Sequence, residues 1–169
     1  MRDYYKNIED VKPGDIVLSY NEKTNKNEYS EVLQTMIHFV KEEIYSLYIE
    51  DDVLFATGIH RFLITRNGIR GWVEASNLQI GDLVQFADGT LHEINDIRVE
   101  IKIKTVYNFE VSNNHNYYVG KNQILAHNKG RGSRGGRNRP TTVRKAAAEE
   151  VHTEDRYHKL DKTLERLNK

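Results

Sequence analysis

The sequence contains no cysteine, and this absence removes several kinds of chemistry at once. Disulfide bonds, zinc sites built from thiolates and cysteine nucleophiles are all excluded for these residues. No apolar run approaches the roughly 20 residues of a transmembrane helix. Met1–Lys6 also lacks the apolar core of a secretory signal peptide. We therefore expect no membrane partner, and an export address, if the protein has one, is not in this sequence.

The chain also lacks an overall charge, but its charges are unevenly distributed along the 169 residues. Residues 1–128 carry 13 Lys/Arg and 19 Asp/Glu, a net −6, whereas residues 129–169 carry 12 and 6, a net +6. Such a split favours two units with different functions. We therefore expect a domain over residues 1–128, and about 128 residues suffice for a sizeable core.

The basic part divides again by composition. Residues 129–141 are rich in Gly and Arg and have no apolar side chain to bury before Pro140, which predicts a flexible linker. Residues 142–169 favour a helix, because Arg144–Glu150 are good helix formers. The large apolar residues of this segment recur at helical spacing, at Tyr157, Leu160, Leu164 and Leu167. Since so few apolar groups cannot form a core alone, this segment is predicted to belong to a larger cargo or to dock on a partner.

The acidic part shows the pattern of an all-β domain. Short runs of branched and aromatic residues alternate with turn signals, among them Asn67-Gly68 and Asp88-Gly89. Ile94–Ile103 is predicted to be a long strand whose one face carries Ile97, Val99, Ile101 and Ile103. Almost no helical periodicity is present before residue 129.

Three segments of the first half recur in the same order in the second half. Residues 13–17 resemble residues 80–84, residues 45–49 resemble residues 107–111, and residues 60–64 resemble residues 115–119. Any one of these matches could be chance, but their common order predicts a pseudo-symmetric β-fold built from two related halves.

The apolar run Ile124–Ala126 ends in the pair His127-Asn128. The side-chain amide of asparagine can close a five-membered ring onto its own carbonyl carbon, which cuts the peptide bond that follows. A histidine directly before it can transfer a proton to the departing amine. The pair therefore suggests a cut between Asn128 and Lys129.

Taken together, the half-repeats and the His-Asn ending resemble the Hint domain, the fold shared by inteins, bacterial intein-like domains and hedgehog autoprocessing domains. The resemblance covers about residues 8–128, and it includes Thr57–His60, which fits the family's Thr-x-x-His motif. The later conserved sequence blocks of the family are matched by Trp72–Ala75, Val106–Gly120 and Ile124–Asn128. The nearest subgroup is that of the intein-like domains placed before the toxins of bacterial polymorphic toxin proteins.

The resemblance implies a fold, a reaction and a role for each matched residue. It implies a pseudo-two-fold Hint β-fold that carries out single-turnover autocatalytic cleavage, with a cargo in the same chain and no cofactor or small-molecule substrate. Asn128 would attack, His127 would protonate the amine of Lys129, and His115 would help to activate Asn128. Thr57 and His60 would polarise the N-terminal scissile bond. The sequence does not give the compartment; the resemblance is compatible with a protein that stays cytoplasmic until it is exported as part of a larger secreted bacterial protein.

Three departures from the family pattern limit this expectation. Family members begin with a Cys or Ser nucleophile. By the family's usual spacing this residue would lie about ten residues before Met1, so it is missing from this sequence. Splicing inteins follow their terminal Asn with Cys, Ser or Thr, but Lys129 stands there. The residue before the family histidine is often Asp, but here it is Asn114. We therefore expect release of the C-terminal part and no ligation.

Two other functions stay open from the sequence. One is a catalytically inactive Hint domain that serves as a spacer or scaffold for the tail. The other is a nucleic-acid adaptor acting through the basic segment Gly130–Arg139, which we do not favour because this segment lacks stacking aromatics. The remaining histidines are not spaced as metal ligands, namely His38, His92, His152 and His158.

Overall fold

The computed structural model describes residues 5–127 and the backbone of residues 148–149. These residues contain no α-helix, and hence no helix long and apolar enough to span a membrane. Two short 3-10 helices are present, at Ile8–Asp10 and Ala75–Asn77. The strands are β1 (Ile16–Asn21), β2 (Lys26–Ile49), β3 (Asp52–Thr57), β4 (Arg61–Arg66), β5 (Ile69–Glu74), β6 (Leu83–Gln85), β7 (Leu91–Glu93), β8 (Asp96–Val111), β9 (Asn116–Val119), β10 (Ile124–His127) and β11 (Ala148–Glu149).

The strands form two antiparallel sheets. In the first, β1, β2, β3 and β11 are neighbours in that order, and β8 also pairs with β2. In the second, the order is β7, β6, β4, β10 and β9, and β5 also pairs with β4. The prediction of an all-β fold is therefore confirmed for the described residues.

The long strands β2 and β8 pair with each other over almost the whole length of β8. The sequence suggests two separate apolar segments, 32–40 and 44–49, but β2 runs through both without a break. The charged residues 41–43 stay extended because they pair with residues 101–103 of β8. Long-range pairing thus overrides the local polar interruption.

The predicted pseudo-symmetry is visible in the backbone. Gly14 and Gly81 lie in equivalent turns with φ of +91° and +93°, a region that glycine enters at little cost. In each half, one buried residue makes two backbone hydrogen bonds to the turn. Its C=O accepts from the glycine N–H, and its N–H donates to the C=O of the aspartate that follows the glycine. The buried residue is Val32 in the first half and Ile94 in the second, and all four distances are 2.8 or 2.9 Å. A 3-10 helix precedes both turns.

The hairpin signals are confirmed as well. Asn67 and Gly68 both have positive φ, of 52° and 75°, and they connect β4 to β5 with Arg66 paired to Ile69. Positive φ at both central residues is the mark of the type I′ turn, whose twist matches that of the strands. Asp88-Gly89 forms the turn between β6 and β7.

Buried side chains collect in two clusters. The larger one lies between the two sheets and includes Phe62, Ile64, Tyr117 and Ala126. The smaller one consists of Tyr20, Leu63 and Leu125, with Trp72 and Tyr118 packed against it. Because neighbouring residues of a strand point to opposite faces, β4 and β10 supply side chains to both clusters.

Most of the basic part lies outside the described residues, including the predicted linker 129–141. Of the predicted helical segment 142–169, the structure describes Ala148–Glu149, which form a strand and not a helix. This strand pairs antiparallel with β3, Ala148 opposite Ala56 and Glu149 opposite Phe55. Hydrogen bonds from the edge of β3 satisfy the backbone groups that a helix would satisfy internally.

Candidate functional site

Strand β10 carries His127, which directly precedes Asn128, the residue predicted to carry out the cleavage. It ends at His127 and pairs with β4 on one side and with β9 on the other. The pairing puts His127 opposite both Arg61 and Asn116. Asn128 and Lys129, the predicted cleavage site, lie outside the described residues.

The imidazole of His127 is held among groups from other strands. The edge of its ring meets the indole of Trp72 on β5, with the centroids 4.8 Å apart and the planes at 71°. Arg61 faces it from β4, and its guanidinium lies 3.7 Å from the carboxylate of Glu74 on β5. The Nδ1 atom of His127 is buried, and no group among the described residues hydrogen-bonds to it.

These surroundings keep the imidazole of His127 neutral. Burial lowers its pKa to about 4, and the nearby charges of Arg61 and His115 add to the shift. Burial disfavours the charged form of any histidine, and like charges act in the same direction. At neutral pH the ring can therefore accept a proton, and one of its nitrogens still donates.

His115 occupies the last turn position before β9 and is exposed. Its φ of +55° is unusual for a residue with a side chain, and it follows the turn closed by the Asn114 N–H to the Ser112 carbonyl, at 2.7 Å. Its charge helps to lower the pKa of His127. The structure thus brings two of the predicted site residues, His115 and His127, into one electrostatic environment.

Asn114 has a structural task in place of the family aspartate. Its side-chain NH₂ donates to the hydroxyl of Ser19 at 2.9 Å and to a carboxylate oxygen of Glu28 at 3.0 Å. The bond from Asn114, followed by one from Asn21, lowers the pKa of Glu28. An aspartate at position 114 would instead put two carboxylates against each other.

Asn116 is a positioning residue that sequence reasoning missed. Its side chain is completely buried and mimics a strand partner: it accepts from the backbone N–H of Tyr20 at 2.7 Å and donates to the Tyr20 carbonyl at 2.8 Å. These two bonds attach β9, and with it the His115 turn, to β1. Arg61 was missed in the same way. The available signal was that each of them directly follows a motif histidine, His60 or His115.

Thr57 and His60 lie together in the fold. They span the turn between β3 and β4, where the His60 N–H donates to the Thr57 carbonyl at 3.1 Å. Both residues are completely buried, and the His60 ring meets Phe62 of the larger cluster edge-on at 5.1 Å. The Thr57 hydroxyl is buried without a hydrogen-bond partner among the described residues.

The predicted site histidines therefore lie in different surroundings. The His60 ring contacts Phe62 and Tyr117 of the larger cluster. The His127 ring contacts Trp72, which packs against the smaller cluster, and His127 lies opposite Arg61 in the sheet. His127 is the described residue nearest in sequence to the predicted cut.

Other histidines have structural contacts. The His92 ring stacks on Phe86 with centroids 3.7 Å apart and lies 3.0 Å from a Glu50 carboxylate oxygen. No group of three His, Asp or Glu residues in the described part of the chain could hold a metal ion. His152 and His158 lie outside that part.

Known proteins share this architecture. The model of the pretoxin Hint domain family matches residues 1–130. The solution structure of a bacterial intein-like domain from Clostridium thermocellum is 35% identical; the match covers 72% of this chain and 86% of that one, with a TM-score of 0.66. The crystal structure of the gp41-1 intein is 30% identical over 73% of this chain and 87% of that one, with a TM-score of 0.58.

A more distant structure shows the same fold. The crystal structure of an intein from a hyperthermophile is 14% identical over 66% of this chain and 70% of that one, with a TM-score of 0.60. A search of curated protein sequences found no match.

Proposed function

Because this chain belongs to the pretoxin Hint family of intein-like self-processing domains, we propose that it cleaves its own backbone after Asn128. The cut releases the residues from Lys129 onward as the start of a C-terminal effector in the same chain. The observation that carries the proposal is the environment of His127, a neutral histidine held by Trp72 next to the predicted scissile bond.

The reaction needs one proton to change place. The side-chain nitrogen of Asn128 attacks its own carbonyl carbon and forms a succinimide, while the bond from that carbon to the Lys129 nitrogen breaks. The attacking nitrogen loses a proton, and the departing amine gains one. His127 in its neutral form takes the first proton and supplies the second, so that no proton enters from solvent.

The low pKa of His127 changes the role inferred from the sequence. A permanently cationic acid at this position would be scarce at neutral pH, because the pKa is about 4. A neutral imidazole acts as a proton shuttle instead. Nearly all His127 side chains are in this neutral form from about one pH unit above the pKa. Positioned proton transfer accelerates such reactions by roughly a hundredfold to ten-thousandfold.

His115 and the charged pair of Arg61 and Glu74 face His127 from the neighbouring elements. We assign His115 the activation of Asn128 that the family implies. Arg61 acts through His127, since its charge opposes protonation of that ring. Thr57 and His60 belong to the N-terminal reaction of the family and have no part in this step.

Release is favoured over ligation by the chemistry of Lys129. Splicing requires a hydroxyl or thiol directly after the terminal asparagine, to carry the N-terminal segment before ligation. Lys129 has neither. The product is therefore a chain end at Asn128, as succinimide or its hydrolysis product, and a free amine at Lys129.

Mass spectrometry of the expressed chain tests the proposal. We expect loss of residues 129–169 in time, no cleavage in Asn128→Ala, and cleavage at least a hundredfold slower in His127→Ala. The rate should rise with pH up to about 5 and then stay level to pH 8, as the shuttle requires. A rate that falls steadily above pH 5 would show that the cationic acid acts instead.

An inactive Hint domain that serves as a scaffold predicts a different result. In that case the chain stays intact over days at every pH, or the Asn128→Ala variant breaks at the same rate as the natural sequence. Either outcome would refute self-processing after Asn128.

A further inference from the structure

The outward face of the β2–β8 ribbon is unusually apolar. On β2 and β8 the odd-numbered residues from 37 to 43 and from 99 to 103 point to this face, which we call the ribbon face. Its large apolar side chains are exposed, namely Ile37 (62%), Phe39 (73%), Val99 (46%), Ile101 (69%) and Ile103 (51%). This is the face that the alternation in residues 94–103 predicts, but Val99, Ile101 and Ile103 lie toward solvent, whereas Ile97 packs against the main cluster.

The even-numbered face of the same ribbon is the one that packs inward. Lys104 is buried with its ammonium over the ring of Phe55, and Val40 packs against the main cluster. One side of this strand pair thus packs against the protein interior, and the ribbon face is the opposite side. Single exposed apolar residues are ordinary, whereas a continuous exposed patch marks an interaction surface.

Two opposite charges lie in the middle of this patch. Lys41 and Glu43 are both exposed and lie two residues apart on the same face of β2. The strand register places them directly beside Ile103 and Ile101 of β8. Each charge therefore has an isoleucine as its lateral neighbour, and these four central residues read the same in both directions except for the sign of the charge. The Glu43 carboxylate also accepts a hydrogen bond from the Tyr45 hydroxyl at 3.0 Å.

From this pattern we propose that the ribbon face binds the ribbon face of a second copy of this chain. The two-fold axis lies in the plane of the interface and crosses the ribbon at the pair Glu42–Lys102. Rotation about this axis brings position 41 over position 43 of the second copy, and position 103 over position 101. Lys41 of each copy then meets Glu43 of the other. On β8, beside these charged pairs, Ile101 of each copy meets Ile103 of the other.

The charges determine the register of the two copies. A shift of the axis by one residue along β2 would place Lys41 over Lys41, or Glu43 over Glu43, which is repulsive. Isologous contacts require such self-complementarity, because each residue pair occurs twice. The proposal is independent of the cleavage reaction, since the ribbon face carries none of the predicted site residues.

Sedimentation velocity on the full chain tests this dimer. The Asn128→Ala variant is used so that the chain stays in one piece, at concentrations from low micromolar to several hundred micromolar. We expect a monomer–dimer equilibrium in this range. A chain that is monomeric at every concentration overturns the proposal.

Charge reversal tests the orientation. Lys41→Glu or Glu43→Lys alone turns two attractive pairs into two repulsive ones, so each should weaken the dimer by about tenfold or more. An equimolar mixture of the two variants should form a heterodimer as tight as the original, because unlike charges meet again at both pairs. Failure of the mixture to recover the affinity overturns the two-fold arrangement.

Two controls separate the ribbon face from general stickiness and from the tail of the chain. Ile69→Lys changes an apolar residue that is 75% exposed at the β4–β5 turn, away from the ribbon, and should leave the dimer intact. Equal weakening by this variant would overturn the proposal. A chain that is monomeric but dimerises after Leu164→Asp would also overturn the proposal. That result would mean that the predicted apolar stripe of residues 142–169 normally covers the ribbon face.

Discussion

The low pKa of His127 has a consequence for stability that can be measured without any cleavage. The unfolded chain has an ordinary histidine with a pKa near 6.5, whereas burial first, and then Arg61 and His115, hold the folded value at about 4. Between these values the unfolded state binds more protons than the folded one. Stability is therefore fully present above pH 6.5 and is lost as the pH falls toward 4.

The size of the effect follows from the two pKa values. A difference of about 2.5 units corresponds to about 3 kcal/mol at the acidic end, and about 2 kcal/mol of it is lost between pH 7 and pH 5. These are upper bounds, because part of the His127 ring is in contact with solvent. Such a loss is a large fraction of the stability of an ordinary domain.

Urea unfolding at a series of pH values measures this loss. In the Asn128→Ala background we compare His127 with His127→Gln, which cannot titrate. The glutamine variant is expected to be less stable at pH 7, since it loses the contact with Trp72, but its stability should fall less steeply between pH 6.5 and 4.5. Equal slopes, or a His127 ring proton signal that titrates near pH 6.5, would refute the reasoning.

Three further changes probe the surroundings of the site, each by urea or thermal unfolding of the cleavage-blocked chain. Asn116→Ala removes both hydrogen bonds to the Tyr20 backbone and should lower the free energy of unfolding by about 2 to 4 kcal/mol. A loss below about 0.5 kcal/mol would contradict the role of these bonds in attaching β9 to β1. Asn114→Asp places a carboxylate beside Glu28 and should destabilise the fold, and adding Glu28→Gln should restore it. Gly120→Ala should cost about 2 to 4 kcal/mol, because φ is +82° and the new Cβ would lie 2.6 Å from an aspartate oxygen; an unchanged melting temperature would refute this.

Much of the fold could be predicted because its signals are local. Asn67-Gly68 demands positive φ at two consecutive residues, and the structure has the hairpin there. The Gly-Asp turns of the two halves recur because each places a glycine where other residues would be strained. Such features depend on neighbouring residues, so they can be read without knowledge of the rest of the chain.

The strands themselves were harder to delimit. β2 continues through Lys41–Glu43 because β8, more than fifty residues away, supplies its hydrogen bonds. The alternation in residues 94–103 predicted one apolar face of β8, but not on which side the core would lie. The core reaches the predicted face at Ile97, which packs against the larger cluster, and leaves Val99, Ile101 and Ile103 exposed.

By itself, the sequence determined the class of fold, its two related halves and the identity of the motif histidines, because these are properties of short ordered patterns. Only the tertiary structure decided which residues surround each histidine and that the pKa of His127 is low. The low pKa of His127 depends on its burial and on Arg61 and His115, and its ring packs against Trp72; these residues are brought to it by β4, β5 and the turn before β9. A pKa is set by burial and charge in space, and neither can be read from the order of residues alone.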